Sequence, residues 1–181
     1  MNLRYGFGMQ RTVTLVDENG KSIGMADLRD AHTGKGKLHR AFSVYIFRNL
    51  RREILIQRRS AGKMLWPMIW ANSCCSHPFE NEEAMAAGMR RLQEELGFTC
   101  PLQAEGTFVY RALDPTGRGV EHEHVTILTG DAPHDVAVQP DPKEVAQWKW
   151  IEVDLLQEDM QKNTDLYTPW FHLGLDLLLH S

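Results

Sequence analysis

The segment AFSVYIF, residues 41–47, constrains the fold more than any other part of this chain. It is a nearly unbroken apolar run of strand length, which predicts a central strand buried on both faces. Other strand patterns surround it. TVTLV (12–16) and SIGMADL (22–28) flank the turn Asp17-Glu18-Asn19-Gly20. EILIQRR (53–59) follows the turn RNLRR (48–52), and GTFVYRA (106–112) is joined to VEHEHVTILTG (120–130) by LDPTGRG. VAQWKWIEV (145–153) is the last strand. Between them lies a helix from Glu82, with Met85, Met89, Leu92 and Leu96 as one apolar stripe and Gly97 as its stop. Two more helices are expected over DLLQEDMQ (154–161) and PWFHLGLDLLL (169–179). Intermixed strands and helices predict an α/β or α+β fold with a mixed sheet. Residues 1–10 read as a tail and 11–181 as one domain.

The net charge of −4 argues against a general nucleic-acid binder, so a phosphorylated substrate would need local cations or a metal. No stretch of 18 apolar residues exists to span a membrane, and MNLRYGFGMQRTV lacks a signal-like apolar region. The cysteines, Cys74, Cys75 and Cys100, are odd in number and two are adjacent, which suits a reducing cytoplasm.

Chemistry concentrates between Trp66 and Phe98, where Pro67 and Pro78 bracket an irregular or extended segment. There Cys75 and His77 share a face and Cys74 points away, as a small buried residue would. A free thiol titrates near ~8.5 and falls beside cations or metal, so Cys75 is the candidate reactive thiol. Glu121 and Glu123 also share a strand face, opposite His122 and His124. They form either a solvated face or a pair of metal-binding carboxylates. With His32, His39 and His77 they would make a three-imidazole, two-carboxylate set, which suits Mn²⁺, Zn²⁺ or Fe²⁺ better than Ca²⁺. Arg58, Arg59, Lys63, Arg90 and Arg91 are each ordinary surface charges when taken singly. Together they are the candidate clamp for a phosphate-bearing substrate.

The run from Ser76 through Glu82 to Arg90-Arg91-Leu92-Gln93-Glu94-Glu95-Leu96-Gly97-Phe98 resembles the Nudix box, which binds diphosphate through divalent metal. It departs at Ser76, where the box has Gly, and at Arg91, where hydrolases carry a metal-binding Glu. The segments AHTGKGKLHRAFSVYIF (31–47), QRRSAGKMLWPMIWANSCCSHP (57–78), RRLQEELG (90–97), YRALDPTGRGVEHE (110–123) and TPW (168–170) are similar, in order, to the type 1 isopentenyl diphosphate isomerases of that superfamily.

The resemblance implies a Nudix-like mixed β-sheet sandwiched between helices in a single domain. It implies His32, His39, His77, Glu121 and Glu123 as ligands of a Mn²⁺ or other divalent ion (Mg²⁺ or Zn²⁺). Glu95 would bind Mg²⁺ arriving with the substrate, and Arg59, Lys63 and Arg91 would contact its diphosphate. Cys75, Glu123, Tyr110 and Trp170 would be catalytic, with Glu123 as acid beside Tyr110, Cys75 as a thiolate-like base and the proton's direction left open. A family Lys is replaced by Leu28, with Arg29 next to it, and an extra residue in the TGRGV turn is expected to matter little. The implied reaction interconverts isopentenyl and dimethylallyl diphosphate by a 1,3-proton shift, the alternative being diphosphate hydrolysis. The implied partner is a small isoprenoid diphosphate, with no nucleic acid or membrane, for a cytoplasmic monomer or weak homo-oligomer.

Overall fold

The structure is a computed structural model that describes residues 11–180, so the tail expected over 1–10 lies outside the described residues. Strands β1 (Thr12–Val16) and β2 (Ser22–Asp27) form a hairpin. Its turn is held by Asp17 Oδ1, which accepts from the Asn19 and Lys21 amides at 3.0 and 2.9 Å. One helical turn, α1 (Leu28–Ala31), takes over the last residue of the strand expected over 22–28, so that β2 stops at Asp27. It forms because Asp27 Oδ1 caps the Arg29 amide at 2.8 Å, and it is too short to show periodicity in sequence. Then come β3 (His39–Arg48), β4 (Glu53–Arg59), and two short strands in the Pro-bracketed segment, β5 (Trp70–Ala71) and β6 (Cys74–Ser76). Helix α2 (Ala84–Leu96) precedes β7 (Gln103–Leu113), β8 (Val120–Asp131) and β9 (Val145–Glu152), and α3 (Val153–Lys162) and α4 (Pro169–His180) close the chain.

The nine strands make one mixed sheet around β3, which pairs with β1, β4 and β6 antiparallel and with β8 in parallel. Alternation along β3 divides the core. Ala41, Tyr45 and Phe47 pack with Leu156 and Met160 of α3 and Phe171 and Leu175 of α4. Phe42, Val44 and Ile46 pack with Ala87, Leu92 and Leu96 of α2. Both faces of the 41–47 strand are therefore covered, which explains why the run has almost no polar residue. Truncating one of these buried aliphatics to Ala would cost about 2–5 kcal/mol. No helix among the described residues is long and apolar enough to cross a membrane.

Helix α2 corrects two sequence expectations. It begins at Ala84 rather than Glu82, because Glu82 accepts from the Phe79 amide and from Arg90 and so belongs to the preceding turn. Its apolar stripe does not define its buried face either. Met85 and Met89 are 44% and 36% exposed, whereas Ala87, Gly88, Arg91, Leu92, Glu95 and Leu96 are buried. Arg91 and Glu95 can lie on that face because they pair with each other, at 2.5 Å. Gly97 ends the helix with φ 75°, in the left-handed region.

Candidate active site

Strand register assembles the site. The parallel β3–β8 pair sets His39 beside Glu123. The antiparallel β3–β6 pair sets Ser43 opposite Cys75, and His77 follows directly after β6. The β7–β8 ladder sets Tyr110 opposite Glu123 and Ala112 opposite Glu121. His32 ends the α1 turn. The His32, His39 and His77 rings come within 4.8–5.5 Å of one another, centre to centre. One ligand atom each from His32, His39, His77 and Glu123 lies within 4.8 Å of all the others. Glu123 Oε1 is 2.9 Å from His77 Nε2 and 3.5 Å from His39 Nε2. Glu121 stands at the edge of this group, its Oε2 2.8 Å from His32 Nε2.

The chemistry of these donors fits a divalent cation. His32 Nδ1 lies 2.7 Å from the Leu28 carbonyl, and His39 Nδ1 lies 2.7 Å from the Lys37 carbonyl. A carbonyl only accepts, so each Nδ1 carries a hydrogen and each ring turns its Nε2 inward, where it can hold a metal or a second proton. Those nitrogens face carboxylates and each other, with His39 Nε2 3.1 Å from His77 Nε2. Buried Glu121 Oε2 has no aligned hydrogen-bond donor despite the nearby imidazole. Such a set needs a cation or extra protons. Burial alone would lower the His32 pKa, but the Glu121 carboxylate, the Leu28 carbonyl and the Glu123 charge outweigh it and raise it to about 9. Burial instead dominates at His77 and pushes it down to about 4. Glu123 is held well below the usual carboxylate range, burial being outweighed by its two imidazole partners, while burial and the Glu123 charge push Glu121 up.

Beside the cluster, Cys75 packs toward the α3/α4 face while Cys74 is fully buried against α2, as alternation requires. The Cys75 thiol donates to Asn72 Oδ1 at 2.9 Å, and Trp170 Nε1 donates to its sulfur at 3.1 Å. The expectation of a thiolate-like Cys75 is corrected here. Burial pushes the thiol up to about 12, more than Ser43, Arg59 and Asn72 together bring it down. Tyr110 donates to Glu123 Oε2 at 2.9 Å, and burial raises its own pKa well above the phenol range. Trp170 is buried and packs edge-on to Trp66.

A cleft of about 620 Å³ opens over these groups. Its rim carries Arg59, Lys63 and Arg91, and also Arg11, Leu28 and Arg29. Arg59 donates to the Leu65 carbonyl at 2.9 Å and lies 5.3 Å from the Trp170 ring centre. Arg91 bonds Glu94 at 2.6 Å, Glu95 at 2.5 Å and Glu144 at 3.1 Å. Glu95 is 1% exposed, accepts from Gln57 Nε2 at 3.0 Å, and stands behind Arg91 rather than among the cleft-lining residues. Sequence reasoning missed Asn72, Gln57 and Glu144. Asn72 left a signal, a polar residue in a segment too apolar to expose, and its Nδ2 bonds the Val44 and Cys74 carbonyls at 2.9 and 3.0 Å. Glu144 left none, being one acid in a polar loop.

The family model of the NUDIX domain matches residues 37–171. The chain is 42% identical over 165 residues to an isopentenyl-diphosphate Delta-isomerase of Nocardia farcinica, covering 91% of this chain and 93% of that one. It is 40% identical over 159 residues to the isopentenyl-diphosphate Delta-isomerase of Halorhodospira halophila, covering 88% and 90%. Among solved structures, DR0079 from Deinococcus radiodurans superposes with a TM-score of 0.67 at 17% identity, covering 84% of this chain and 90% of that one. A MutT protein from Methanosarcina mazei superposes with 0.59 at 16% identity, covering 78% and 91%. These last two share the fold alone. With a NUDIX domain over most of its length and relatives this similar from end to end, the chain belongs to the isopentenyl-diphosphate Delta-isomerase family.

Proposed function

We propose that this chain interconverts isopentenyl and dimethylallyl diphosphate by a metal-dependent 1,3-proton shift. The observation that carries the reading is a pair of proton-transfer groups on one cleft. The Cys75 thiol donates to Asn72 Oδ1 at 2.9 Å, and the Glu123 carboxylate accepts from Tyr110 at 2.9 Å. Burial pushes the thiol up, while the imidazoles beside Glu123 hold its carboxyl down. A 1,3-shift needs one group to give a proton and another to take one. In this reading Cys75 Sγ is the donor to the terminal alkene carbon, and Glu123 Oε2, which accepts from Tyr110 at 2.9 Å, is the acceptor from the neighbouring carbon. This assigns a direction that the sequence leaves open, and the reverse reaction exchanges the two roles. Protonating the alkene builds positive charge at a tertiary carbon. Trp170, seated against Cys75, offers a ring face worth ~2 kcal/mol to such a cation when desolvated.

His32, His39, His77, Glu121 and Glu123 would hold Mn²⁺, or Mg²⁺ or Zn²⁺, which when bound supplies positive charge to fix and polarise the carboxylates. Arg59, Lys63 and Arg91 would hold the diphosphate, with Mg²⁺ at Glu95 once Arg91 turns toward the substrate. Hydrolysis is disfavoured because Arg91 occupies the place of a hydrolase carboxylate. Three free thiols suit a reducing cytoplasm. The test is incubation with isopentenyl diphosphate in D₂O with Mg²⁺ and Mn²⁺, followed by NMR. Deuterated dimethylallyl diphosphate is expected, and free phosphate without an allylic product, or unchanged substrate, would refute the proposal.

A further inference from the structure

Lys63 and Arg91 reach one cleft from different elements, the loop after β4 and helix α2. Two cations side by side repel, so their convergence needs a cause. Glu144 lies between them. One carboxylate oxygen accepts from Lys63 Nζ, and the other accepts from Arg91 Nη2 at 3.1 Å. The backbone of Glu144 is itself fixed. Its amide donates to the Asp141 carbonyl at 2.9 Å, and its carbonyl accepts from the Ser60 amide at 2.9 Å. The Asp141 amide in turn donates to the Glu95 carbonyl at 2.9 Å, which ties this loop to α2 as well as to the end of β4.

Arg91 already has Glu94 and Glu95, so it does not need Glu144 for neutralisation. Lys63 does: among the described residues Glu144 is its carboxylate partner. An ammonium has three donors, and the bridge occupies one of them, which leaves the others for an incoming anion.

We infer that Glu144 is a positioning residue for diphosphate binding, bridging Lys63 to Arg91 so that one anionic group meets both cations together. This rests on the reading of the cleft as a diphosphate site. A carboxylate tethered at both ends of its loop holds Lys63 in place and removes the ordering cost from the binding step.

The test is Glu144→Gln, which keeps the shape and removes the charge. Inorganic diphosphate with Mg²⁺ is titrated calorimetrically, and KM and kcat for isopentenyl diphosphate are measured alongside. The expected result is about tenfold weaker diphosphate binding, the scale of one lost charge-assisted hydrogen bond, with KM rising equally and kcat within about twofold. In a Lys63→Ala background Glu144→Gln should add less than about twofold, since the two act through one another. Tighter binding, which would make Glu144 a competitor of the ligand, overturns the inference. So do unchanged affinity, a kcat loss at constant KM, or full additivity with Lys63→Ala. Should Glu144→Gln fail to fold, Glu144→Asp keeps the charge but shortens the reach, and it should still weaken diphosphate by about threefold; unchanged affinity there overturns the inference equally. Wild-type protein that binds diphosphate without isomerising its substrate would sink the proposed function alone.

Discussion

Gly119 offers a test of how tightly His32, the first of the proposed metal ligands, is seated. A Cβ built there would lie 2.4 Å from the backbone carbonyl oxygen of His32 and 2.9 Å from Leu65 Cδ2. Ordinary contact begins at 3.4 Å, so the main-chain clash falls short by 1.0 Å (3.4 − 2.4), and a carbonyl cannot swing aside as a side chain can. The same carbonyl accepts the Val120 amide at 2.9 Å, which couples the start of β8 to the end of α1. Gly119→Ala must therefore part the two segments, moving His32 relative to Glu121 and Glu123. Overpacking of this kind costs about 1–3 kcal/mol. For a chain of this length that is a fall in Tm of about 2–4 °C per kcal/mol. Metal sites tolerate only about 0.2 Å in ligand distance, so a shift several times larger should weaken the metal by about 10–100-fold. Calorimetric Mn²⁺ titration of EDTA-stripped protein, with melting curves, reads both effects. Metal affinity within twofold of wild type, at unchanged Tm, would refute the reasoning. The turn expected to matter little would then matter little indeed.

Cys75→Ala should remove turnover by at least about 10³-fold while Cys74→Ala, a small change in a buried contact, largely spares kcat; equal losses would contradict the two-sided placement of these neighbours. The His32 pKa is raised from 6.5 to about 9 in the metal-free protein, so its stabilisation is full below pH 6.5 and lost as pH rises through 9. The Tm of stripped protein should fall across that window, His32→Gln should flatten the fall, and Mn²⁺ affinity should climb by about tenfold per pH unit because the proton must leave. A flat affinity profile would count against this. Arg91→Ala leaves Glu94, Glu95 and Glu144 facing one another, and urea melts should show a loss of about 3–5 kcal/mol, partly recovered by Mg²⁺.

Much of this was legible because period and parity survive folding. The 41–47 run has no charged position and only the small Ser43 and the Tyr45 hydroxyl as polar groups, so burial on both faces followed. Glu121 and Glu123 fell on one face because strand parity is insensitive to tertiary detail, and the same holds for Cys75 against Cys74. The buried face of α2 was misjudged because Arg91 and Glu95, by pairing with each other, turn inward beside Leu92 and Leu96 while Met85 and Met89 turn out. Glu144 was invisible since its importance comes from Lys63 and Arg91, at separations of 81 and 53 residues. The state of Cys75 was misjudged for a related reason. The cations nearby in sequence were visible, but the dry surroundings that outweigh them arise only on packing.

The parallel pairing of β3 with β8 has a consequence in time. His32, His39 and His77 leave the ribosome well before Glu123, which follows His77 by 46 residues (123 − 77). At ~5–20 residues per second, that interval lasts about 2–9 s. Even then the carboxylate reaches the imidazoles only when the 84-residue stretch from His39 to Glu123 closes into register. The hairpins β1–β2 and β7–β8 are local and have no such wait. A nascent chain therefore displays three histidines without Glu121 or Glu123, and on the proposed reading full metal retention would be among the last properties it acquires. Prematurely released chains ending before residue 123 would then compete poorly for the proposed ion, leaving it to finished molecules.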